Sequence, residues 1–226
     1  MVLIYYSVNY LKHKIYLLII MNKFIKIIST VPTFYFYKKL NYELSLIQSK
    51  KLASNFSAAF HAITTVILGS NYLLTKKYAY IMQINSGGWF LFDIYYLLKE
   101  KNFNLMNIMY LYHHISTYNY ILLPESKYYW PYVMFYAELS NIPNYFVYYY
   151  IKKDKMKKLW KGYESKETKL FKKIQIIFYG FFRIFFVGYY GILELKRKGI
   201  IPIPVYMTSL LYIFGLLWYF SMIKRF

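Results

Sequence analysis

The chain has 226 residues, of which 58% are hydrophobic and 24% aromatic. Its mean hydropathy of +0.26 is too high for an ordinary water-soluble domain, so the composition favours a membrane protein. A formal net charge of +20 would suggest nucleic acid in a soluble protein, but the basic residues here separate apolar segments, and we expect no nucleic-acid partner. The absence of cysteine excludes disulfides, thiolate nucleophiles and Cys-ligated metal sites.

The first 40 residues are apolar but interrupted by basic side chains. A Lys-His-Lys run breaks residues 1–21, and no small-residue cleavage site follows, which favours an uncleaved anchor over a signal peptide. Pro32 favours a break or kink in this region. We predict one N-terminal membrane helix near residues 15–37, as part of a membrane anchor and basic connection that covers residues 1–49.

Six further apolar runs are each about 20 residues long, the length that crosses the bilayer core as a helix. They are residues 54–74, 78–98, 104–123, 129–151, 174–195 and 200–222. The sequence therefore predicts an all-α fold, a polytopic transmembrane bundle of six core helices in a domain covering residues 50–226, with the N-terminal membrane helix added to it.

Basic residues are distributed unevenly between the two ends of these six spans. The connections on one side hold 18 Lys and Arg residues, 10 of them in the Lys-rich connection at 152–173, whereas the other side holds 6. Cytoplasmic loops carry the excess of Lys and Arg. We therefore expect the C-terminus and the 152–173 connection to face the cytosol, with the connection lying on a membrane surface.

Six ionisable side chains lie inside the predicted spans. A charged side chain there costs about 2.5–3.5 kcal/mol on insertion scales, so such groups usually pair or face a cavity. The six are His61, Asp93, His113, His114, Glu138 and Arg183. At 1.5 Å per helical residue they fall about 8 to 20 Å from the cytosolic ends of their spans. This shared level predicts that five helices direct them into one interior cavity.

Packing roles are an open alternative for four of these groups. His61 alone suits an interhelical hydrogen bond. Asp93 lies near enough to a helix end to reach headgroup water. Arg183 with Glu138 or Asp93 suits a neutralising pair that specifies packing.

The adjacent histidines His113 and His114 are harder to explain by packing. Neighbouring positions differ by about 100° around a helix, so at least one of the two should face the bundle interior. Helical metal ligands normally sit at i and i+4, which leaves a metal shared with His61 as a weak alternative, and we expect no metal. An imidazole at this depth beside a carboxylate can act as a general base toward an amine or hydroxyl. Both histidines are therefore candidate catalytic residues.

Five segments together resemble the TLC family of multi-pass membrane proteins, named for TRAM, longevity-assurance and neuronal ceroid-lipofuscinosis proteins. In chain order they are "SAAFHAITTVILG", "GWFLFDIYYLL", "YLYHHISTYNYILL", "AELSNIPNYFVYYY" and "FFRIFFVGYYG". The resemblance covers about residues 50–222 and implies a six- or seven-helix membrane domain concerned with lipids, often in the endoplasmic reticulum. Through the paired histidine of the family motif, it implies for His113 and His114 the role they have in ceramide synthases, which join a fatty acyl-CoA to a sphingoid amine.

The chain departs from ceramide synthases after the histidine pair. It lacks the His-Asp and the further Asp that follow in the synthase motif, and "AELSNIP" is more similar to the branch without established synthase chemistry. Members of that branch are proposed to adjust membrane phospholipid composition or lipid supply, or to escort cargo. The sequence alone leaves open whether the chain is an enzyme.

Three functions are consistent with these features. The leading prediction is a multi-pass integral membrane protein of the endoplasmic reticulum or a related endomembrane that binds or modifies lipids and regulates membrane lipid composition. Its expected partners are membrane lipids, and no cofactor is expected. The first alternative is a ceramide-synthase-like N-acyltransferase, with acyl-CoA as co-substrate and its phosphates at Arg183 or the Lys-rich connection. The second is a non-catalytic protein that binds cargo or a partner, in which the polar cluster only specifies helix packing.

Overall fold

The computed structural model describes residues 2–101, 103–123, 128–156, 164–197 and 203–224, which are helices joined by short connections, with no strand among them. The helices are α1 (Val2–Ile47), α2 (Lys50–Thr75), α3 (Ala79–Glu100), α4 (Leu105–Ile121), α5 (Trp130–Met156), α6 (Lys166–Phe178), α7 (Gly188–Arg197) and α8 (Ile203–Lys224). A π-helical segment, Tyr179–Val187, joins α6 to α7 without interruption. The all-α prediction is confirmed.

Polar side chains mark where three helices begin. Ser49, Asn104 and Ser165 have extended backbone and accept hydrogen bonds from main-chain N–H groups three residues later. Such N-caps satisfy donors that have no partner within the helix. The buried carboxylate of Asp154, near the end of α5, also accepts from the hydroxyls of Ser165 and Thr168, at 2.9 and 2.6 Å. This contact fixes the start of α6 against the end of α5.

Each of the six predicted spans corresponds to helical structure, and the 174–195 span corresponds to most of the continuous rod 166–197. Within the described residues, two helical stretches are long and apolar enough to cross a membrane, Lys50–Thr75 and Lys166–Glu194. The stretch Leu210–Lys224 is apolar but shorter. Helices α3, α4 and α5 carry many Tyr and Asn side chains, which lower their mean hydropathy. The central part of the Lys-rich connection, 157–163, lies outside the described residues.

The N-terminal region differs from its prediction in continuity. Helix α1 has 46 residues and continues through Pro32, so the predicted break does not occur, and the expected 15–37 helix is one part of a longer one. Proline removes one main-chain donor inside a helix. Tertiary contacts of the neighbouring turns offset this loss, since Thr30 and Tyr37 are fully buried against other helices.

Two glycines of α3 allow α1 to approach closely. A Cβ atom on Gly88 would lie 2.4 Å from Cβ of Thr33 and 2.8 Å from the main-chain nitrogen of Phe34, and one on Gly87 would lie 2.6 Å from Thr30. Tyr37 then reaches into the aromatic core, with its ring centroid 5.2 Å from that of Trp89. Helix α1 is therefore packed into the same core as α2 and α3.

The remaining helices form a closed ring. Its order around the ring is α2, α5, the rod 166–197, α8, α4 and α3, and α3 contacts α2 again. Neighbours are antiparallel: Asn55 donates to the main-chain carbonyl of Tyr145, and a Cβ on Gly69 would meet Phe135. Stacked aromatic rings pack α5 against the rod, and the ring centroids of Tyr136 and Phe186 are 4.4 Å apart. The ring leaves a central space bounded by six helical units.

Substitution of Gly88 by Ala should destabilise the fold, because the added methyl group meets main-chain atoms of α1 that cannot rotate away. Overpacking of this kind costs about 1–3 kcal/mol, and we expect a lower melting temperature of the purified protein in detergent. Gly191→Ala is the matched control, since a Cβ there meets nothing within 4 Å and alanine favours the helix. Equal stability of the two variants would contradict the close contact of α1 with α3.

Candidate functional site: a cavity inside the helix ring

A cavity of about 540 Å³ lies within the ring and takes lining residues from α2, α3, α4, α5, the rod and α8. At one end it is bordered by Lys51, Glu100, Asn107, Tyr148 and Met222. These residues lie near the beginning of α2 and α4 and the end of α3, α5 and α8. Since ring neighbours are antiparallel, all of them are at the same end of the bundle, which is the end that the basic residues predict to be cytosolic.

The structure brings five of the six predicted polar groups to this cavity. They are Asp93, His113, His114, Glu138 and Arg183. The sixth, His61, is 1% exposed and lies behind the cavity wall, where its ring stacks on that of Trp89 at a centroid distance of 5.2 Å. The two adjacent histidines both reach the cavity, as their 100° separation allows when the helix borders a wide space.

Asp93 and His114 form the closest contact between titratable groups in the cavity. Nδ1 of His114 lies 2.8 Å from Oδ2 of Asp93, and both side chains are largely buried. The ring N–H is not aligned on the carboxylate well enough for a regular hydrogen bond, so the contact is electrostatic. A carboxylate at Nδ1 favours the proton on that nitrogen and leaves Nε2 as the free base. His113 lies beside this pair, with a ring centroid 5.2 Å from that of His114.

A second histidine–carboxylate pair joins α2 to α5. Nδ1 of His61 is 3.9 Å from Oε1 of Glu138, while Oε2 of Glu138 accepts from Nδ2 of Asn141 at 3.2 Å. Nε2 of His61 lies 3.1 Å from Oγ1 of Thr65. Both members are buried, and each buried polar atom that loses its partner costs about 1–3 kcal/mol.

Polar side chains that sequence reasoning missed continue this pair toward α1. Tyr37 donates its hydroxyl proton to Oδ1 of Asn85 at 2.7 Å, and Nδ2 of Asn85 donates to Oγ1 of Thr65 at 3.1 Å. Oγ1 of Thr65 thus links Asn85 to Nε2 of His61, which also lies 3.4 Å from Oγ of Ser86.

Arg183 enters the cavity from the middle of the π-helical segment. Its Nη1 donates to the carbonyl oxygen of Ala137 and to Oδ1 of Asn141, each at 3.4 Å, and its guanidinium carbon lies 5.7 Å from the centre of the Tyr179 ring. The hydroxyl of Tyr212 on α8 donates to the carbonyl of Ile184 at 2.8 Å. Single π-helical turns are frequent at functional sites.

Within 210–224, the part of α8 whose side chains the structure describes, no ionisable side chain lines the cavity. The lining residues there are Leu211, Phe214, Gly215, Trp218 and Met222. Their spacing of three or four residues places them along one face of the helix. The cavity therefore has an apolar wall and, on α3, α4, α5 and the rod, a wall with ionisable groups.

Sequence signals for the missed residues are weak but present. Thr65 follows His61 by four residues and Asn141 follows Glu138 by three, which puts each on the same helix face as its partner. Asn85 and Tyr37 have no such relation to a predicted group. Among the described residues, no cluster of three His, Asp or Glu side chains is arranged to hold a metal ion.

Comparison with protein-family models gives no match to this chain, and comparisons with curated proteins and with solved structures give none either. The resemblance to the TLC family therefore stays a prediction from the sequence.

The contact between Asp93 and His114 should appear as an energetic coupling. In a double-mutant cycle with Asp93→Asn and His114→Gln, we expect an interaction free energy of about 0.5–3 kcal/mol in the unfolding of the purified protein. A cycle of Asp93→Asn with His113→Gln is the matched control on the adjacent histidine and should give less than about 0.5 kcal/mol. Equal coupling in both cycles would show that the carboxylate does not select His114.

Proposed function

We propose that this chain is a multi-pass membrane protein whose helix ring binds a lipid in its central cavity, and that it regulates or modifies membrane lipids. The observation that carries the proposal is the division of the cavity into an apolar wall on α8 and ionisable groups on α3, α4, α5 and the rod. A volume of about 540 Å³ lies within the roughly 300–1,000 Å³ range of small-molecule sites. An amphiphile fits such a division, with its chain on the apolar wall and its headgroup on the ionisable one.

The outer surface of the ring supports integration into a bilayer. Large apolar side chains are exposed on every helix of the ring, among them Ile67, Ile81, Ile115, Phe146, Phe185 and Leu217. Large exposed apolar patches mark surfaces that face lipid or a partner. Six membrane crossings by the ring, with α1 as a seventh helix beside them, accommodate this surface, and the basic connections favour a cytosolic cavity mouth. The proposed endomembrane location is what the resemblance to the TLC family implies.

Binding of lipid by the cavity is tested by native mass spectrometry of the protein purified in mild detergent. We expect co-purifying lipid on the wild-type protein and a reduced fraction of bound lipid on the His113→Ala/His114→Ala variant, because both imidazoles line the cavity. The matched control is Ile115→Ala/Asn119→Ala, which changes exposed positions of the same helix.

Two results would oppose the proposal. Absence of lipid from the wild-type protein would remove it, as would equal lipid retention by the wild type and the histidine variant. A histidine variant that folds in lower yield but leaves the cellular lipid profile unchanged would favour the alternative of a non-catalytic cargo-binding protein.

A second candidate function, N-acyl transfer, is favoured by the Asp93–His114 contact. With Nδ1 beside the carboxylate of Asp93, His114 would use Nε2 as a general base that takes a proton from a long-chain amine. The amine nitrogen then forms the amide bond with the acyl carbon of an acyl-CoA thioester as the carbon–sulfur bond breaks, and the thiol leaves with a proton. The basic residues near the cavity mouth would attract the phosphates of the co-substrate.

Acyl transfer is tested by expression in cells that lack ceramide synthases, followed by measurement of labelled ceramide. We expect product with the wild-type chain and a loss of about 10²–10⁴-fold with His114→Gln, the range typical for a general base. Asp93→Asn should lower the rate in the same direction without removing protein from the membrane fraction. If the labelled ceramide does not exceed the vector control, N-acyl transfer is eliminated as a candidate function. The proposal of lipid binding is not affected by that result.

A further inference from the structure

The cavity contains one permanently charged cation that lacks a carboxylate partner. Among the described residues, no salt bridge includes Arg183, although two carboxylates line the same cavity. Oδ2 of Asp93 lies 2.8 Å from Nδ1 of His114. Oε2 of Glu138 accepts a hydrogen bond from Asn141 at 3.2 Å, and its Oε1 lies 3.9 Å from Nδ1 of His61. Glu138 attracts the guanidinium electrostatically, but neither carboxylate lies within salt-bridge distance of it.

The hydrogen bonds that Arg183 does make use little of its capacity. A guanidinium has five N–H donors, and the structure gives two contacts, both from Nη1 and both at 3.4 Å, the long limit of a hydrogen bond. Their acceptors are neutral, a main-chain carbonyl and an amide oxygen. Charge-assisted bonds to an oxyanion are shorter and roughly twice as strong. The site therefore gains most from a ligand that supplies two oxyanion oxygens.

The apolar wall of α8 lies at the level of Arg183. A Cβ on Gly180 would meet the hydroxyl of Tyr219, and one on Gly188 would meet that of Tyr212, so the antiparallel register places residue 183 opposite about residue 216 of α8. Trp218 and Phe214, which line the cavity, lie on either side of this level. A ligand whose charge is held by Arg183 can then lay an alkyl chain along α8. At about 540 Å³ the cavity lies in the lower half of the roughly 300–1,000 Å³ range of small-molecule sites, which favours an amphiphile with one chain over one with two.

We infer that Arg183 anchors an anion-binding subsite that takes the carboxylate or phosphate monoester headgroup of a single-chain amphiphile, whose chain packs on the α8 wall. This inference rests on the lipid binding proposed above and adds the headgroup class. Arginine suits both headgroups, because its planar fork matches carboxylate and phosphate oxygens in pairs. Neutral amphiphiles with the same chain should bind more weakly, since they offer the guanidinium no charge-assisted hydrogen bond.

Binding can be followed through the tryptophans of the cavity, Trp89 and Trp218. The probes are brominated stearate, a lysophosphatidate with the same brominated chain, and the methyl ester of the brominated stearate, each added to the full-length protein in detergent while quenching of tryptophan fluorescence is recorded. Wild type should bind the two anions at least about tenfold more tightly than the ester, the ratio expected for one charge-assisted contact. The tighter anion identifies the headgroup.

The variants isolate the guanidinium. Arg183→Gln should lose the preference for anions while its affinity for the methyl ester stays within about twofold. Arg183→Lys should keep part of the preference. The matched control is Lys76→Gln, at the far end of α2, where Lys76 donates to the hydroxyl of Tyr132 outside the cavity; it should bind all three probes like the wild type.

The outcomes separate this inference from the proposed function. Equal affinity of wild type for anions and ester, or an unchanged preference in Arg183→Gln, overturns the subsite and leaves lipid binding standing. If none of the three probes quenches the tryptophan fluorescence, lipid binding itself is overturned. If Arg183→Gln does not fold, the wild-type comparison of anions with ester and the Arg183→Lys variant decide the question.

Discussion

The need to give every buried ionisable group a partner is the constraint on which this structure depends. His61, Glu138 and His114 are each less than 10% exposed, and an unpaired polar group at such a site costs about 1–3 kcal/mol. In each case the partner comes from a different helix: Asp93 of α3 for His114 of α4, and His61 of α2 for Glu138 of α5. A sliding or rotation of one helix would therefore break a polar contact as well as apolar packing, and the contacts fix the register of the ring.

The register of α2 against α5 differs from the one that the sequence predicts. Sequence counting put His61 about 10 Å and Glu138 about 20 Å from the cytosolic helix ends, yet their nearest side-chain atoms are 3.9 Å apart. The rise of about 1.5 Å per residue holds for both helices. The predicted difference in depth is wrong because it assumes that all helices end at one level. Asn55 contacts Tyr145, so the last two turns of α5 extend beyond the start of α2. Helix existence, spacing and the choice of polar residues were readable from the sequence, whereas the relative heights of helices depend on packing.

The sequence did not predict that α1 continues through Pro32, nor the contacts of the uncharged residues Tyr37 and Asn85. Both depend on packing between helices. A proline argues against a helix locally, but Thr30 and Thr33 on either side of Pro32 pack against the two glycines of α3, and this contact outweighs the local preference. Asn85 and Tyr37 are uncharged, so their burial costs less than that of a charge and a sequence scan for expensive groups passes over them. Only the structure reveals that they orient Thr65 and, through it, the ring of His61.

The π-helical segment gives the arrangement around Arg183 a physical reason. The π-helix replaces i→i+4 hydrogen bonds by i→i+5 bonds and so has a wider turn, and the hydroxyl of Tyr212 on α8 donates to the main-chain carbonyl of Ile184 within it. The same hydroxyl abuts Gly188, where a Cβ would lie 2.5 Å away, so a small residue, an irregular turn and a tyrosine of the neighbouring helix form one unit. A return to regular α-helix would rotate the following residues relative to α8 and separate these groups. The contact between Tyr212 and the rod therefore holds Arg183 toward the cavity, and the position of the guanidinium is set by α8 as much as by its own helix.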